Sequence, residues 1–314
     1  MKSSNSLYAA IDLGSVSFHL VIMTKRENRL VWTDCKKEIV RLAAGFDTRS
    51  KSLRPDVKKR ALKCLENFHR AIRNIPQHNI RAVGTSTFRR LRHDTQFLQQ
   101  AQSALGIPIE VLSGDQEAEY IYRGVSYPLP DDSRFVIDIG GGSTELIVGN
   151  GHRPLHTVSI ELGCISLTQK FFLSGTINRE QFALAESYAS KRLQQSIEPL
   201  TKFQWNSEFG TSGSVKAISW AMQHRDLSDG EITHEALDEM REGILRCNNT
   251  QQLASYLGLN QRRTAVFCAG FILMQQAFKH AHLSYLKISQ GAIREGLIQA
   301  MIEDNTMTPT LSEH

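Results

Sequence analysis

The chain has 314 residues, of which 41% are hydrophobic and 22% charged, with a formal net charge of +5. That is room for two cores of ordinary globular composition, and it argues against a disordered or uniformly polybasic chain. Five cysteines, at 35, 64, 164, 247 and 268, are odd in number and lack paired spacing, so they signal neither a disulfide framework nor a zinc site.

Cysteine usage of this kind fits a reducing compartment, and a cytoplasmic location is expected. Residues 1–12 hold too few apolar positions for a signal-peptide core, and the longest uncharged runs, the apolar 264–278 among them, fall short of the roughly 20 residues that span a bilayer. No membrane partner is expected. The charge is unevenly spread: residues 1–120 carry 20 Lys and Arg against 12 Asp and Glu. This excess hints at a polyanionic partner, although much of it falls on one predicted helix, where a solvated face is the favoured reading.

In chain order, residues 7–11 read as a strand, Asp12-Leu13-Gly14-Ser15-Val16-Ser17 as a loop, and 18–23 as a second strand. Residues 55–74 form an amphipathic helix with Val57, Ala61, Leu65, Phe68 and Ile72 on its apolar face and Lys58, Lys59, Arg60 and Lys63 outside it. A strand at 80–84 leads into a small-residue turn, 84–87, and a stretch from Arg81 to His93 that holds Arg89, Arg90 and Arg92 with no acid. A helix capped by Asp94 ends at Gly106, a strand covers 108–112, and Ser113-Gly114-Asp115 opens the helix that bears Glu117.

Residues 127–132, with two prolines and paired acids, read as a linker, and the domain boundary is placed just before it: a first domain over 1–120 and a second over 121–305. Next comes Phe135 to Val148, in which two β-branched runs flank Gly140-Gly141-Gly142-Ser143-Thr144. Three consecutive glycines let backbone N–H groups converge on an anion, because no side chain blocks the approach. Asp138 and Glu145 on either side would repel a bare phosphate, which suggests a hard divalent cation such as magnesium between them. The alternative is a tight hairpin with solvent-facing acids.

Laid over this stretch at a constant offset of 126 residues, Asp12 matches Asp138, Gly14 matches Gly140 and Ser17 matches Ser143. Such a repeat predicts two domains of related fold, each presenting one hairpin loop. Beyond it, the pattern predicts a strand at 157–160, a helix at 178–197 and a strand-to-helix turn at Gly210-Thr211-Ser212-Gly213-Ser214. A buried helix at 264–278, a strand at 284–288 and a last helix bearing Arg294, Glu295 and Gly296 follow, with 306–314 read as a disordered tail. Strands alternating with helices mark an α/β fold.

The ordered set Asp-Leu-Gly-Ser, Gly-Thr-Ser-Thr-Phe-Arg, Ser-Gly-Asp-Gln-Glu-Ala, Asp-Ile-Gly-Gly-Gly-Ser-Thr-Glu, Gly-Thr-Ser-Gly-Ser-Val-Lys-Ala and Gly-Ala-Ile-Arg-Glu-Gly resembles the exopolyphosphatase / guanosine pentaphosphate phosphohydrolase family, over residues 7–303. That family belongs to the actin, sugar-kinase and heat-shock-chaperone ATPase superfamily. The resemblance implies two ribonuclease-H-like domains hinged over a central cleft. It also implies metal-dependent release of terminal orthophosphate from inorganic polyphosphate, with a preference for shorter chains.

By position, it implies that Glu117 is the catalytic base and that Asp138 and Glu145 hold magnesium, with manganese as a substitute. Asp12, Gly14, Ser15, Arg89, Gly140, Gly141, Gly142, Ser143, Thr144, Gly213 and Ser214 would bind phosphate. Guanosine pentaphosphate as substrate, or a non-catalytic sensor of polyphosphate or guanosine tetraphosphate, are the alternatives. A homodimer is expected by resemblance, and nucleic acid is not expected as a partner. Val16 and Gln290 depart from the Asn and Asp usual at those places.

Overall fold

The computed structural model describes residues 6–26, 29–47 and 51–307. The chain divides into two compact units: residues up to Tyr127 together with those from Ile293 onward, and Pro128–Ala292. Among the described residues, no helix is long and apolar enough to cross a membrane.

The first unit opens with an antiparallel meander, β1 (Leu7–Leu13), β2 (Ser17–Arg26) and β3 (Arg29–Ile39). A short hairpin, β4 (Phe46–Asp47) with β5 (Ser52–Leu53), leads to α1 (Pro55–Ile72). Then come β6 (Ile80–Gly84), α2 (Ser86–Arg90), α3 (Thr95–Leu105), β7 (Glu110–Val111) and α4 (Gly114–Ser126). The sheet order is β3-β2-β1-β6-β7, with β6 parallel to both β1 and β7.

Alternate residues of β1 and β2, among them Ile11, Leu13, Phe18 and Leu20, enter one core with the whole predicted stripe of α1. The basic residues of α1 settle into local bonds: Lys58 with Asp94 at 2.9 Å, Lys63 with Glu66 at 3.2 Å, and Arg60 Nε donating to the Val40 carbonyl at 2.8 Å. The charge excess there is therefore the outer face of a packed helix. The strand β3 had no counterpart in the sequence reading, because its residues are mostly exposed and its apolar positions do not alternate cleanly. The turn expected at 84–87 is instead the entry to the short helix α2.

The second unit repeats the plan. A meander, β8 (Ser133–Ile139), β9 (Thr144–Asn150) and β10 (Arg153–Ile160), is followed by α5 (Cys164–Phe171), α6 (Arg179–Ile197), β11 (Ser207–Thr211) and α7 (Ser212–His224). After β12 (Ile232–Thr233) come α8 (His234–Ile244), α9 (Thr250–Leu257), α10 (Gln261–Thr264), α11 (Phe267–Ala281) and β13 (Tyr285–Ile288). The order is β10-β9-β8-β11-β13-β12, with β8, β11 and β13 parallel. Phe135, Ile137 and Ile139 pack with Phe182 of α6 and Phe271 of α11, the buried helix expected at 264–278.

The repeat is visible bond by bond. Leu7 pairs with Thr24 and Ser133 with Asn150; Asp12 pairs with His19 and Asp138 with Glu145. The two hairpins thus share one register at the 126-residue offset.

The last helix, α12 (Ile293–Met307), belongs to the first unit, where it packs on α4 and β1. Gly296 is the reason it can: a Cβ there would collide with the carbonyl of Tyr120 on α4. Arg123 to Glu303, at 3.4 Å, pins the same pair of helices. The boundary expected between residues 120 and 121 falls inside α4, and the second unit ends at Ala292 rather than at 305. Of the tail expected at 306–314, Thr306 and Met307 continue α12, and the remainder lies outside the described residues.

Candidate active site

In each unit the residues singled out from the sequence sit at the carboxyl ends of the parallel strands, the edge where open α/β sheets bind ligands. In the first unit, Asp12 stands near the end of β1 and Gly14 and Ser15 follow it, Arg89 follows β6 on α2, and Glu117 follows β7 on α4. In the second, Asp138 stands near the end of β8, Gly140–Ser143 follow it, Thr144 and Glu145 open β9, and Gly213 and Ser214 follow β11.

The two hairpin loops are built alike. Gly14 N–H donates to the Ser17 carbonyl at 3.2 Å, and Gly140 N–H to the Ser143 carbonyl at 2.9 Å. In both, the loop carbonyls are taken from behind. Ala43 and Arg41 N–H donate to Ser15 and Val16 at 3.0 and 2.7 Å; Cys164 and Ile165 N–H, at the start of α5, donate to Gly140 and Gly141 at 2.9 and 2.8 Å. The N–H groups of Ser15 and Val16, and those of Gly141, Gly142 and Ser143, find no acceptor among the described residues. A loop with most of its carbonyls committed and most of its N–H groups without an acceptor among the described residues is suited to an anion. Gly163 packs so close that a Cβ would collide with the backbone of Gly140 and Gly141, which holds the second loop rigid.

In the first unit the loop is tied to the arginine helix by Thr87 Oγ1 donating to Ser15 Oγ at 2.8 Å, both buried. Arg89 Nη1 reaches Glu117 Oε2 at 2.6 Å and the Leu112 carbonyl at 3.2 Å, whereas Nη2 is buried with no partner among the described residues. Glu117 is 8% exposed and stands in the first turn of α4, whose start is fixed by the Ser113–Gln116 capping box. Burial raises the Asp12 carboxyl to about 6; Arg294 opposes that rise and Glu295 adds to it. Both of these charges arrive on α12, so the first loop is tuned by the far end of the chain.

In the second unit, Asp138 and Glu145 are directly opposed in the β8–β9 register, so both carboxylates rise from one face of the sheet. Glu145 is buried, and its Oε1 accepts from Ser159 Oγ at 2.9 Å. Thr144 Oγ1 donates to the Leu162 carbonyl at 2.7 Å, which makes its hydroxyl a strut of the loop. Among the described residues no group of three or more His, Cys, Asp or Glu could hold a metal ion. Two hard carboxylates fit magnesium nonetheless, since that ion is usually held by one or two protein carboxylates with water and substrate phosphates completing its shell.

Two residues escaped the sequence reading. Ser212 adopts φ +92°, which a non-glycine residue seldom does, and its hydroxyl donates to the Ile139 carbonyl at 2.9 Å while accepting from Ser214 N–H at 3.2 Å. It ties the Gly213-Ser214 turn to the end of β8. Arg263 lies against Gly213, where a Cβ would strike its guanidinium. Neither stands out from neighbouring serines and arginines in sequence; φ and proximity across 50 residues are needed. Of the two departures, Val16 and Gln290 both point outward as exposed side chains.

Residues 21–305 match the model of the Ppx/GppA phosphatase family. The structure is similar to that of the Aquifex aeolicus member of that family (TM-score 0.80, 22% identity, 96% of this chain and 99% of that one). It is also similar to an exopolyphosphatase from Cytophaga hutchinsonii (TM-score 0.81, 22% identity, 95% and 98%) and to an exopolyphosphatase-like protein (TM-score 0.83, 18% identity, 95% and 98%). The fold is the actin-like ATPase fold, as the sequence resemblance implied.

Proposed function

The chain belongs to the Ppx/GppA phosphatase family, and from that premise we propose that it is an exopolyphosphatase, releasing terminal orthophosphate from inorganic polyphosphate in the cytoplasm. The observation that carries the reading is the pair of hairpin loops in which most carbonyls are spent and most N–H donors have no acceptor among the described residues. Phosphoryl transfer demands positioning and charge neutralisation more than covalent chemistry from the protein. The loops, with Arg89, meet the first demand.

Arg89 is suited to a phosphate because one of its terminal nitrogens is already desolvated and has no partner among the described residues. The bond from its other nitrogen holds the Glu117 carboxylate in a fixed place. In that place Glu117 orients and deprotonates the attacking water, a role worth about 10²- to 10⁴-fold. Gly213 adds the backbone of a third turn, which the Ser212 hydroxyl holds by accepting from Ser214 N–H, and Ser214 contributes its own hydroxyl there. Asp138 and Glu145 would hold magnesium or manganese, whose charge offsets that on the phosphoryl oxygens. All five cysteines are free, which supports the cytoplasmic assignment.

The test is phosphate release from polyphosphate and from guanosine pentaphosphate, side by side, in magnesium. Release from polyphosphate that drops at least 100-fold in Glu117→Gln supports the reading. Turnover of the nucleotide alone replaces polyphosphate as the substrate. Binding of polyphosphate with no release from either one makes the chain a sensor.

A further inference from the structure

In the first unit the strand that follows the loop carries a side-chain relay. His19 stands opposite Asp12 on β1 and opposite Lys37 on β3, so the three share one face of the sheet. Its Nδ1 lies 2.7 Å from Arg294 Nη1, and its Nε2 lies 2.7 Å from Ser17 Oγ. A guanidinium only donates, so Nδ1 must present its lone pair. The proton of a neutral imidazole is then on Nε2, and Nε2–H donates to the serine oxygen. A hydroxyl that accepts from histidine keeps its own hydrogen for another acceptor.

Ser17 closes the anion loop: its carbonyl takes the Gly14 N–H, and it matches Ser143 of the second loop. We infer that Arg294 and His19 are positioning residues that fix the Ser17 hydroxyl as a donor to a phosphate oxygen held in the first loop. The inference rests on the phosphohydrolase reading for its ligand. It also gives the two repeats different tasks. The position of Glu145 is filled here by an imidazole with both nitrogens committed, so no lone pair is left for a cation. The first loop grips phosphate through donors, and the carboxylate pair belongs to the second.

The relay can be tested first without substrate. Imidazole-¹⁵N spectra of the full chain at pH 7.5, with the His19 signals identified by their loss in His19→Gln, should show the Nε2–H tautomer. In Arg294→Met they should show a mixture of tautomers. An Nδ1–H or doubly protonated His19 in the wild-type chain overturns the inference.

A second measurement is calorimetric titration of tripolyphosphate in a Glu117→Gln background. Ser17→Ala and His19→Phe should each weaken binding about tenfold, the worth of a hydrogen bond to a charged group, and the double variant no further. His19→Gln, whose amide can still donate to Ser17, should stay within about threefold. Losses below about twofold, or losses that add in the double variant, overturn the relay. If tripolyphosphate binds as expected and the wild-type chain releases no phosphate, the hydrolase reading fails and the relay stands.

Discussion

Arg89 holds Glu117 through one terminal nitrogen, Nη1 to Oε2 at 2.6 Å, and keeps the other buried without a partner among the described residues. The pair is almost closed to solvent, with side chains 17% and 10% exposed. Removing one partner therefore leaves the other desolvated. Glu117→Gln keeps an oxygen for Arg89 and should fold with nearly unchanged thermal stability while losing about 10²- to 10⁴-fold in phosphate release. Glu117→Ala should lose the same activity and, in addition, about 1–3 kcal/mol of stability, because the buried Arg89 guanidinium loses its counter-charge and keeps only the Leu112 carbonyl. Chemical denaturation beside a phosphate-release assay separates the two effects.

Arg89→Lys keeps the charge and discards the fork. A lysine can satisfy Glu117 or a phosphate but not both at once. The expected outcome is a rise in KM for polyphosphate of about tenfold or more, with the fold intact by circular dichroism. An unchanged KM would mean that the orphaned Nη2 does not face substrate.

Asp12 makes stability depend on pH in a stated direction. Burial lifts its carboxyl from 3.8 to about 6, so the folded chain holds a proton that the unfolded chain has released between those values. That contribution is fully present below about pH 4 and is lost as pH rises through about 6, a change on the order of 3 kcal/mol. Asp12→Asn, which never ionises, should match the wild type near pH 4 and exceed it in urea-unfolding free energy by up to about this amount above pH 7. On the proposed phosphatase reading it should lose activity at every pH, since Asp12 stands near the end of β1 beside the first loop.

How far these features could be read from residues alone differs between elements for physical reasons. The hairpins were legible because β-branched alternation and glycine loops are local signals, and a 126-residue repeat shows itself without a structure. The short helix α2 was not, because five residues cannot establish a helical period. The fate of α12 was hidden for a different reason. Its apolar residues fit any core, and only the collision that Gly296 avoids with Tyr120 identifies α4 as its partner. The same packing brings Arg294 back to His19 across 275 residues, a contact no spacing rule can suggest.

Gly296→Ala exploits that packing. The new methyl would meet the Tyr120 carbonyl, a backbone atom that cannot rotate aside, so α12 must shift away from α4. A loss of about 1–3 kcal/mol in unfolding free energy is expected. Because the shift carries Arg294 and Glu295 away from Asp12, phosphate release should fall by more than the fraction unfolded explains. A loss confined to stability would show that α12 is a strut alone.

The Asp138–Glu145 pair gives a prediction about metal. Two carboxylates directly opposed on neighbouring strands repel, at a cost of about 0.2–1 kcal/mol when no cation lies between them. Magnesium should therefore stabilise the wild-type chain, raising its melting temperature in a concentration-dependent way, because an ion that binds only the folded state shifts unfolding by mass action. Glu145→Gln removes the repulsion and one ligand together, and its amide oxygen can still accept from Ser159. In metal-free buffer it should melt at or slightly above the wild-type temperature, and the upward shift with magnesium should vanish along with metal-dependent phosphate release. A Glu145→Gln chain that still gains stability from magnesium would place the cation elsewhere and return Glu145 to a purely structural role beneath the glycine loop.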